Sequence, residues 1–513
     1  MHLQSFQLGL SVLLASASVH AASLRTRNQS SSVFDCLTAH GVTYLTSSSP
    51  NWTAYEAPYN LRLPYTPAVI TVPENDAEVA ASVTCAAAAS LKVQAKGGGH
   101  SYASYSSGGQ NGSLIIELEK FDEITVDQST FIVKIGAGQR LGNVATAIYD
   151  QGQRAMPHGT CGGVGIAGHA LHGGYGYDSR KWGLALDHIV GLDVVLANGT
   201  CVYTDANSHP DLFYAMRGAG DSFGIATHFY MQTEAAPNSV LWFTVDLSAS
   251  LKDANTAATG FEVLQNWTLT SSDLTPNITF GTYADSGGSF SFRGWCMDCD
   301  VNVFTNDVFP GMIAGFDSAN PTVQELGWID ALTVLSDPDA LAEPLGHLYT
   351  KHDTFYAKSV VSREDEPLTH ASLLSYWTYM IANQGKGPFF SIINLYGGPG
   401  SAINAVSPDE SAYSDRTSLW VFQNYGYTAN SLPPWDPAIT PLIDGLNDAI
   451  TNPQPDGDFT AYLNYVDPDL APATAHQEYY GASTYDKLLA LKTQYDPALV
   501  FWNPQAIGTS VAL

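Results

Sequence analysis

The sequence predicts an α+β protein of two domains, and three observations carry that expectation. At 513 residues the chain is longer than one simple core accommodates. Residues 22–237 interleave short β-branched runs with helix-forming ones, whereas 238–454 read as alternating strands, longer helices and many aromatics. The last stretch, 455–513, holds a strand-like run and a helix, and is expected to return to the first domain.

Taken in order, AVITV from Ala68 is strand-forming, PEND opens a helix through AEVAASVTCAAAASL, and KVQAK follows as a short strand. LIIEL, ITVD and IVKIGAG read as further short strands, and Leu141 to Gln151 as a helix. HIVGLDVVLANGTCVYTD has the pattern of a hairpin turning at Asn198-Gly199. Asp211 to Arg217 is helical, GAGDSFG a loop and IATHFYMQT a strand. In the second domain VLWFTVDL and GSFSFRGW are strands, and FFSIINLYGGPGSAI pairs with SLWVFQNYGYT to line a groove.

Two glycine-dense loops interrupt the first domain. AKGGGHSYASYSSGG starts at Ala95, and HGTCGGVGIAGHALHGGYG runs from His158 to Gly176. Glycine loses the most backbone entropy on folding, so such density points to close approach of backbone to a ligand, commonly an anion cradled by amide N–H groups. Reactive side chains are threaded through both: His100 in the first, and His158, Cys161, His169 and His172 in the second. The pair suggests one large, polar, phosphate-bearing ligand.

The formal net charge of −28 argues against nucleic acid or an anionic membrane as partner. A short apolar run, Leu8 to Ala15, precedes a Val19-His20-Ala21 cleavage signature, so residues 1–21 read as a secretory signal. Sequons at Asn28, Asn51, Asn111, Asn198, Asn266 and Asn277 agree with export as a soluble glycoprotein. In an oxidising compartment Cys36 and Cys85 are the preferred disulfide, and Cys296 and Cys299 could close a local one. Cys201 reads as a small buried residue; Cys161, in a glycine loop, does not read as packing filler.

Three familiar patterns fail on context. GVGIAG, Gly163 to Gly168, has a polar lead-in instead of a strand, and Asp187 precedes its strand instead of ending it. GDSFG would make Ser222 a nucleophile with His347, His370 or His476, but its helix–turn–strand order reverses the elbow of a serine hydrolase. Cys296 and Cys299 with His347 and His352 have zinc-like spacings, but the gap is too long and no metal is expected.

GGGHSYASY, HGTCGGVGIAGH, AYLNYVDPDL and WNPQAI together resemble the berberine-bridge-like, FAD-linked oxidases, and among them the secreted fungal oligosaccharide oxidases. The resemblance implies an FAD-binding fold of the vanillyl-alcohol-oxidase type with an antiparallel-sheet substrate domain. It implies FAD bonded covalently through both His100 and Cys161. The FAD-contacting positions are then Lys96, Gly97, Gly98, Gly99 and Ser101; Thr160, Gly162, Gly163, Val164, Gly165 and Gly168; and Gly218, Gly224 and Ile225. Asn503 and Gln505 would close from the C-terminus.

By the same resemblance Tyr462 takes the proton from the anomeric hydroxyl while hydride passes to the flavin. Read as a strand, AYLNYVD puts Tyr462 and Asn464 on one face and Tyr465 and Asp467 on the other, and Asp467 is a further catalytic candidate. An ordinary tyrosine is mostly protonated at neutral pH, so Tyr462 needs a tuning partner. Relatives place an acid in the strand before the GG turn, where this chain has Asn394. Tyr102 matches a substrate-side tyrosine, and Phe390, Ile392, Gln423 and Tyr427 lie on the groove strands. The expected reaction takes the reducing-end hydroxyl of an oligosaccharide to a lactone, with oxygen as acceptor, in a monomer. Alternatives are oxidation of a secondary-metabolite alcohol or C–C bond formation, a serine hydrolase built on Ser222, and a non-catalytic carbohydrate-binding protein.

Overall fold

A computed structural model describes residues 33–317 and 321–510, so the signal segment and the sequon at Asn28 lie outside the described residues. The strands Val69–Thr71 and Val93–Lys96 both pair in parallel with Leu114–Glu117, and Tyr44–Leu45 adds antiparallel to the first. The parallel pairing follows from the intervening helix Asp76–Ala88, whose N-cap Asn75 accepts from Glu78 N–H. A second sheet has the order 124–126, 132–136, 225–232, 189–195, 201–204. The 189–204 hairpin turns at Gly199 with φ +80°, as the Asn-Gly pair predicts.

Beyond residue 239 the chain builds one fully antiparallel seven-stranded sheet, ordered 322–326, 240–246, 290–297, 278–285, 389–395, 418–427, 355–363. Helices Ala254–Thr270, His370–Ala382 and Thr440–Thr451 cover one face through Phe261, Trp377, Ile443 and their neighbours. Alternation then sends Phe390, Ile392 and Asn394, with Gln423, Tyr425 and Tyr427 of the adjacent strand, to the opposite face. That face meets the glycine loops, and Val361, Tyr396 and Val421 join the same core as Tyr175 and Tyr462.

Both expected disulfides, Cys36–Cys85 and Cys296–Cys299, are formed. Cys201 departs from expectation: it opens the outermost strand of its sheet and is exposed. AYLNYVD is not a strand either. Only Thr460 bridges Val361 at the sheet edge; Ser359 Oγ then accepts Tyr462 N–H, and Leu463–Tyr465 closes a 3₁₀ turn. The strict two-face alternation is therefore lost, and Tyr465 lies edge-on to Tyr462 with ring centroids 4.9 Å apart.

The acid of the failed dinucleotide pattern has a structural task. Asp187 accepts Leu184 N–H and takes a two-armed ion pair from Arg416 at 2.8 and 2.9 Å. Asn51, Asn111, Asn198 and Asn266 are exposed, as glycan acceptors must be. Among the described residues no helix is long and apolar enough to cross a membrane.

Candidate active site

The first glycine loop leaves the strand Val93–Lys96 and delivers His100. Its ring stacks on Tyr59 at 4.0 Å, and Nε2 hydrogen-bonds Tyr349 Oη at 3.0 Å. Burial, with Arg140 nearby, holds the imidazole down to about 3, so it is neutral. The second loop is pressed against the first: a Cβ on Gly98 would stand 2.4 Å from Gly165 Cα. It delivers Cys161, which has no disulfide partner and reaches solvent. Burial among neighbouring groups pushes its thiol up, against Thr160, whose hydroxyl lies 3.8 Å from Sγ.

Tyr462 sits where the second loop ends. Its hydroxyl oxygen accepts N–H from Gly174 at 3.0 Å, Tyr175 at 3.3 Å and Asn464 Nδ2 at 2.8 Å. Burial raises Tyr462 above the usual phenol value, and the three donors pull it back in part. A neutral phenol oxygen offers two lone pairs, so three donors suit the phenolate better than the phenol. The expected alternative, a carboxylate from the groove strand, is absent. Asn394 is 8% exposed, gives Nδ2 to Tyr396 Oη at 3.3 Å, and leaves Oδ1 without a partner. Tyr396 in turn stacks on Tyr175 at 4.1 Å, beside Tyr462.

Tyr102 links the site to the groove. Its hydroxyl meets Gln423 Nε2 at 2.5 Å and its ring stacks on Tyr465 at 5.5 Å. Burial first, then Tyr462 and Cys161, hold the Tyr465 hydroxyl above its usual value. Phe390, Tyr425 and Phe355 stack in succession at 4.8 and 4.4 Å, and Tyr427 lies 6.0 Å from Phe390. Ile392 is opposite Gln423 across the ladder.

Several expected site residues also have protein partners. Asp467 pairs with Lys358 at 3.0 Å and accepts from Tyr356 at 3.3 Å. Lys96 pairs with buried Glu117 at 3.3 Å and donates to Tyr55 O at 2.8 Å. Gly97, Gly162, Gly218 and Gly224 abut protein atoms from Ala137, Leu341, Ala412 and Val194, and Ile225 is a buried strand residue. Ser101 Oγ accepts Tyr105 N–H at 3.0 Å, and Val164 N–H returns to Cys161 O at 3.2 Å. Asn503 Nδ2 donates to Asp221 at 2.8 Å, and Asp221 pairs with His172 at 3.3 Å.

The hydrolase reading fails on this geometry. Ser222 Oγ is buried under Ile507 N–H at 3.1 Å, while His347, His370 and His476 bond Glu119, Glu262 and the backbone of Gln505. Sequence reading missed Tyr59, Arg140, Tyr175 and Tyr349. Each joins the site through contacts with distant segments; no local motif marks Tyr59, Arg140 or Tyr349, while Tyr175 lies inside the second glycine loop without standing out there.

Two neighbouring loops thus carry a neutral imidazole and a free thiol, with a buried tyrosine at the end of the second and an aromatic groove beside them. Models of the FAD binding domain and of the berberine and berberine-like domain match residues 67–205 and 461–508. The chain is 33% identical to the xylooligosaccharide oxidase of Thermothelomyces thermophilus, over 97% of this chain and 98% of that protein. It is 34% identical to the chitooligosaccharide oxidase of Gibberella zeae, over 97% and 98%. A solved structure of the Acremonium strictum glucooligosaccharide oxidase, with a 6-S-cysteinyl, 8α-N1-histidyl FAD, superposes with a TM-score of 0.86 at 29% identity, over 94% and 100% of the two chains. The chain belongs to the berberine-like family of FAD-linked oxidoreductases, with the vanillyl-alcohol-oxidase type of fold.

The residues present fit FAD. Gly168 faces open space beside the second loop: a Cβ there would meet no other segment within 4 Å. Gln505 Oε1 is buried without a hydrogen-bond partner, as suits an acceptor reserved for a ligand hydroxyl. Lys96, the only cation of the first loop, is committed to Glu117, so a pyrophosphate there would meet backbone amides.

Proposed function

We propose that this protein is a secreted oxidase that takes the reducing-end anomeric hydroxyl of an oligosaccharide to a lactone. In this reading FAD is attached through His100 and Cys161, and oxygen is the final acceptor, giving hydrogen peroxide. The observation that carries the reading is Tyr462: a buried phenol whose oxygen three N–H donors prepare to hold negative charge. Near full-length similarity to xylo- and chitooligosaccharide oxidases supports the substrate class.

FAD, when bound, supplies the hydride acceptor. Tyr462 takes the hydroxyl proton as the hydride leaves the same carbon, and Asn464, Gly174 and Tyr175 steady the charge that develops on its oxygen. Tyr102 and Gln423 offer polar atoms to sugar hydroxyls, while the half-buried Phe390 and Tyr427, backed by buried Tyr425 and Phe355, offer apolar surface to the rings.

The direct test is a panel of mono- and oligosaccharides with peroxide detection, run on purified protein with its flavin spectrum recorded. A yellow protein whose colour survives acid precipitation, and which releases peroxide with oligosaccharides, is expected. A colourless protein, or one indifferent to every reducing sugar, contradicts the proposal. Cys161→Ala is expected to keep flavin attached through His100 alone, with slower turnover. Asn464→Ala removes the 2.8 Å donor and raises Tyr462 further, so the alkaline limb of the pH–rate profile moves to higher pH. An unmoved limb would assign it to another group.

A further inference from the structure

We propose that Tyr349 is a positioning residue for covalent attachment at His100: by occupying Nε2 it leaves Nδ1 as the nucleophilic nitrogen. The proposal rests on the reading that His100 is a flavin tether. A neutral imidazole carries its one proton on either nitrogen, and only the other can form a bond to carbon. Tyr349 Oη lies 3.0 Å from Nε2, and the described residues give Nδ1 no hydrogen-bond partner. When Nε2–H donates to the Tyr349 oxygen, the lone pair of Nδ1 faces outward. The Tyr59 ring, stacked at 4.0 Å and 21°, keeps the imidazole from turning over.

Tyr349 is itself held. The Arg140 guanidinium lies 3.9 Å over its ring, and the same arginine donates to Pro344 O at 2.7 Å and Gly98 O at 2.9 Å. One cation thus ties the segment bearing Tyr349 to the loop bearing His100. Gly163 completes the arrangement: a Cβ there would stand 2.4 Å from Tyr349 Oη, so any side chain would drive the hydroxyl off Nε2. A glycine that seemed to serve a phosphate therefore makes room for the tyrosine. The Acremonium strictum enzyme is linked through histidyl N1, which is Nδ1, the nitrogen left open here.

The step balances as follows. The bond formed joins Nδ1 to the 8α carbon of the flavin, and the bonds broken are one C–H of that methyl group and the imidazole Nε2–H. Two electrons and both protons enter the flavin ring, and molecular oxygen takes them off again as hydrogen peroxide. Tyr349 then donates its own proton to the freed Nε2, so the same hydrogen bond persists in reverse.

The test compares Cys161→Ala with Cys161→Ala/Tyr349→Phe, so that His100 is the only tether. Covalent flavin is read by fluorescence after acid precipitation, total flavin by absorbance, and the linked nitrogen by spectroscopy of the flavin peptide. The double variant is expected to hold flavin at full stoichiometry with the covalent share down about tenfold, roughly what one lost hydrogen bond allows. A residual Nε2 linkage would support the assignment further, because a packing role gives no reason for the isomer to change. An unchanged covalent share, linked wholly through Nδ1, would overturn the proposal. Loss of all flavin, covalent or not, would also overturn it by reducing Tyr349 to a packing residue. If Cys161→Ala with Tyr349 intact carries no covalent flavin, the fault lies with the tether reading itself.

Discussion

Tyr462→Phe should slow flavin reduction by sugar at least about 100-fold while leaving flavin content unchanged. Phenylalanine keeps the ring that packs 4.7 Å from Tyr175 and 4.9 Å from Tyr465, so the change removes one oxygen and little else. What is lost is the proton acceptor and an oxygen on which three N–H groups converge. The Gly174 and Tyr175 amides would then be buried without a partner, while Asn464 Nδ2 keeps His169 O and His172 O, so a stability loss of about 1–3 kcal/mol should accompany the rate effect. Stopped-flow absorbance of the flavin reads the first and a denaturant midpoint the second. Because burial sets Tyr462 above the usual phenol value, the wild-type rate should climb with pH through the alkaline range. Near-wild-type reduction in the variant would move the role elsewhere, with Tyr465 next in line. Asp467 is a poor substitute, since Lys358 already neutralises it at 3.0 Å.

The tuning of Tyr462 shows where sequence and structure part. Apolar alternation was enough to place Phe390, Ile392, Asn394, Gln423 and Tyr427 on one face, because a period of two leaves no freedom once the other face is buried under helices. His100 and Cys161 stand out as candidates because reactive residues among glycines are rare, and the fold brings their two loops together. The base's environment does not stand out. Its donors are two backbone amides from a loop nearly 290 residues upstream and a side chain two positions on, brought together by a 3₁₀ turn where alternation predicted a strand. Backbone amides carry no residue-type signal, and at the position where relatives have an acid this chain has Asn394. The glycines are ambiguous in a related way. Gly98 and Gly163 are small because Gly165 and Tyr349 stand against them, and density alone cannot tell a ligand from a neighbouring chain segment.

Lys96 was expected to touch the cofactor, and the structure leads to a different prediction. Lys96→Met should destabilise the fold by about 3–5 kcal/mol at neutral pH, because it strands a buried carboxylate. Glu117 is fully buried, and neither of its oxygens has a hydrogen-bond partner; the Lys96 ammonium at 3.3 Å is its compensation. Burial already raises Glu117 above the usual carboxylate value while Lys96 opposes the shift. Without the lysine the carboxyl rises further, and the folded form keeps a proton that the unfolded chain has released. Stability then falls as pH rises, since the folded state binds more protons than the unfolded one. The deficit should therefore be small near about pH 5 and full by about pH 8, and adding Glu117→Gln should recover much of it. A deficit equal at both pH values, with flavin binding weakened in parallel, would instead place Lys96 on the cofactor. The distinction bears on the first glycine loop as a whole: if Lys96 serves Glu117, a pyrophosphate bound there has only the loop's amides to rely on.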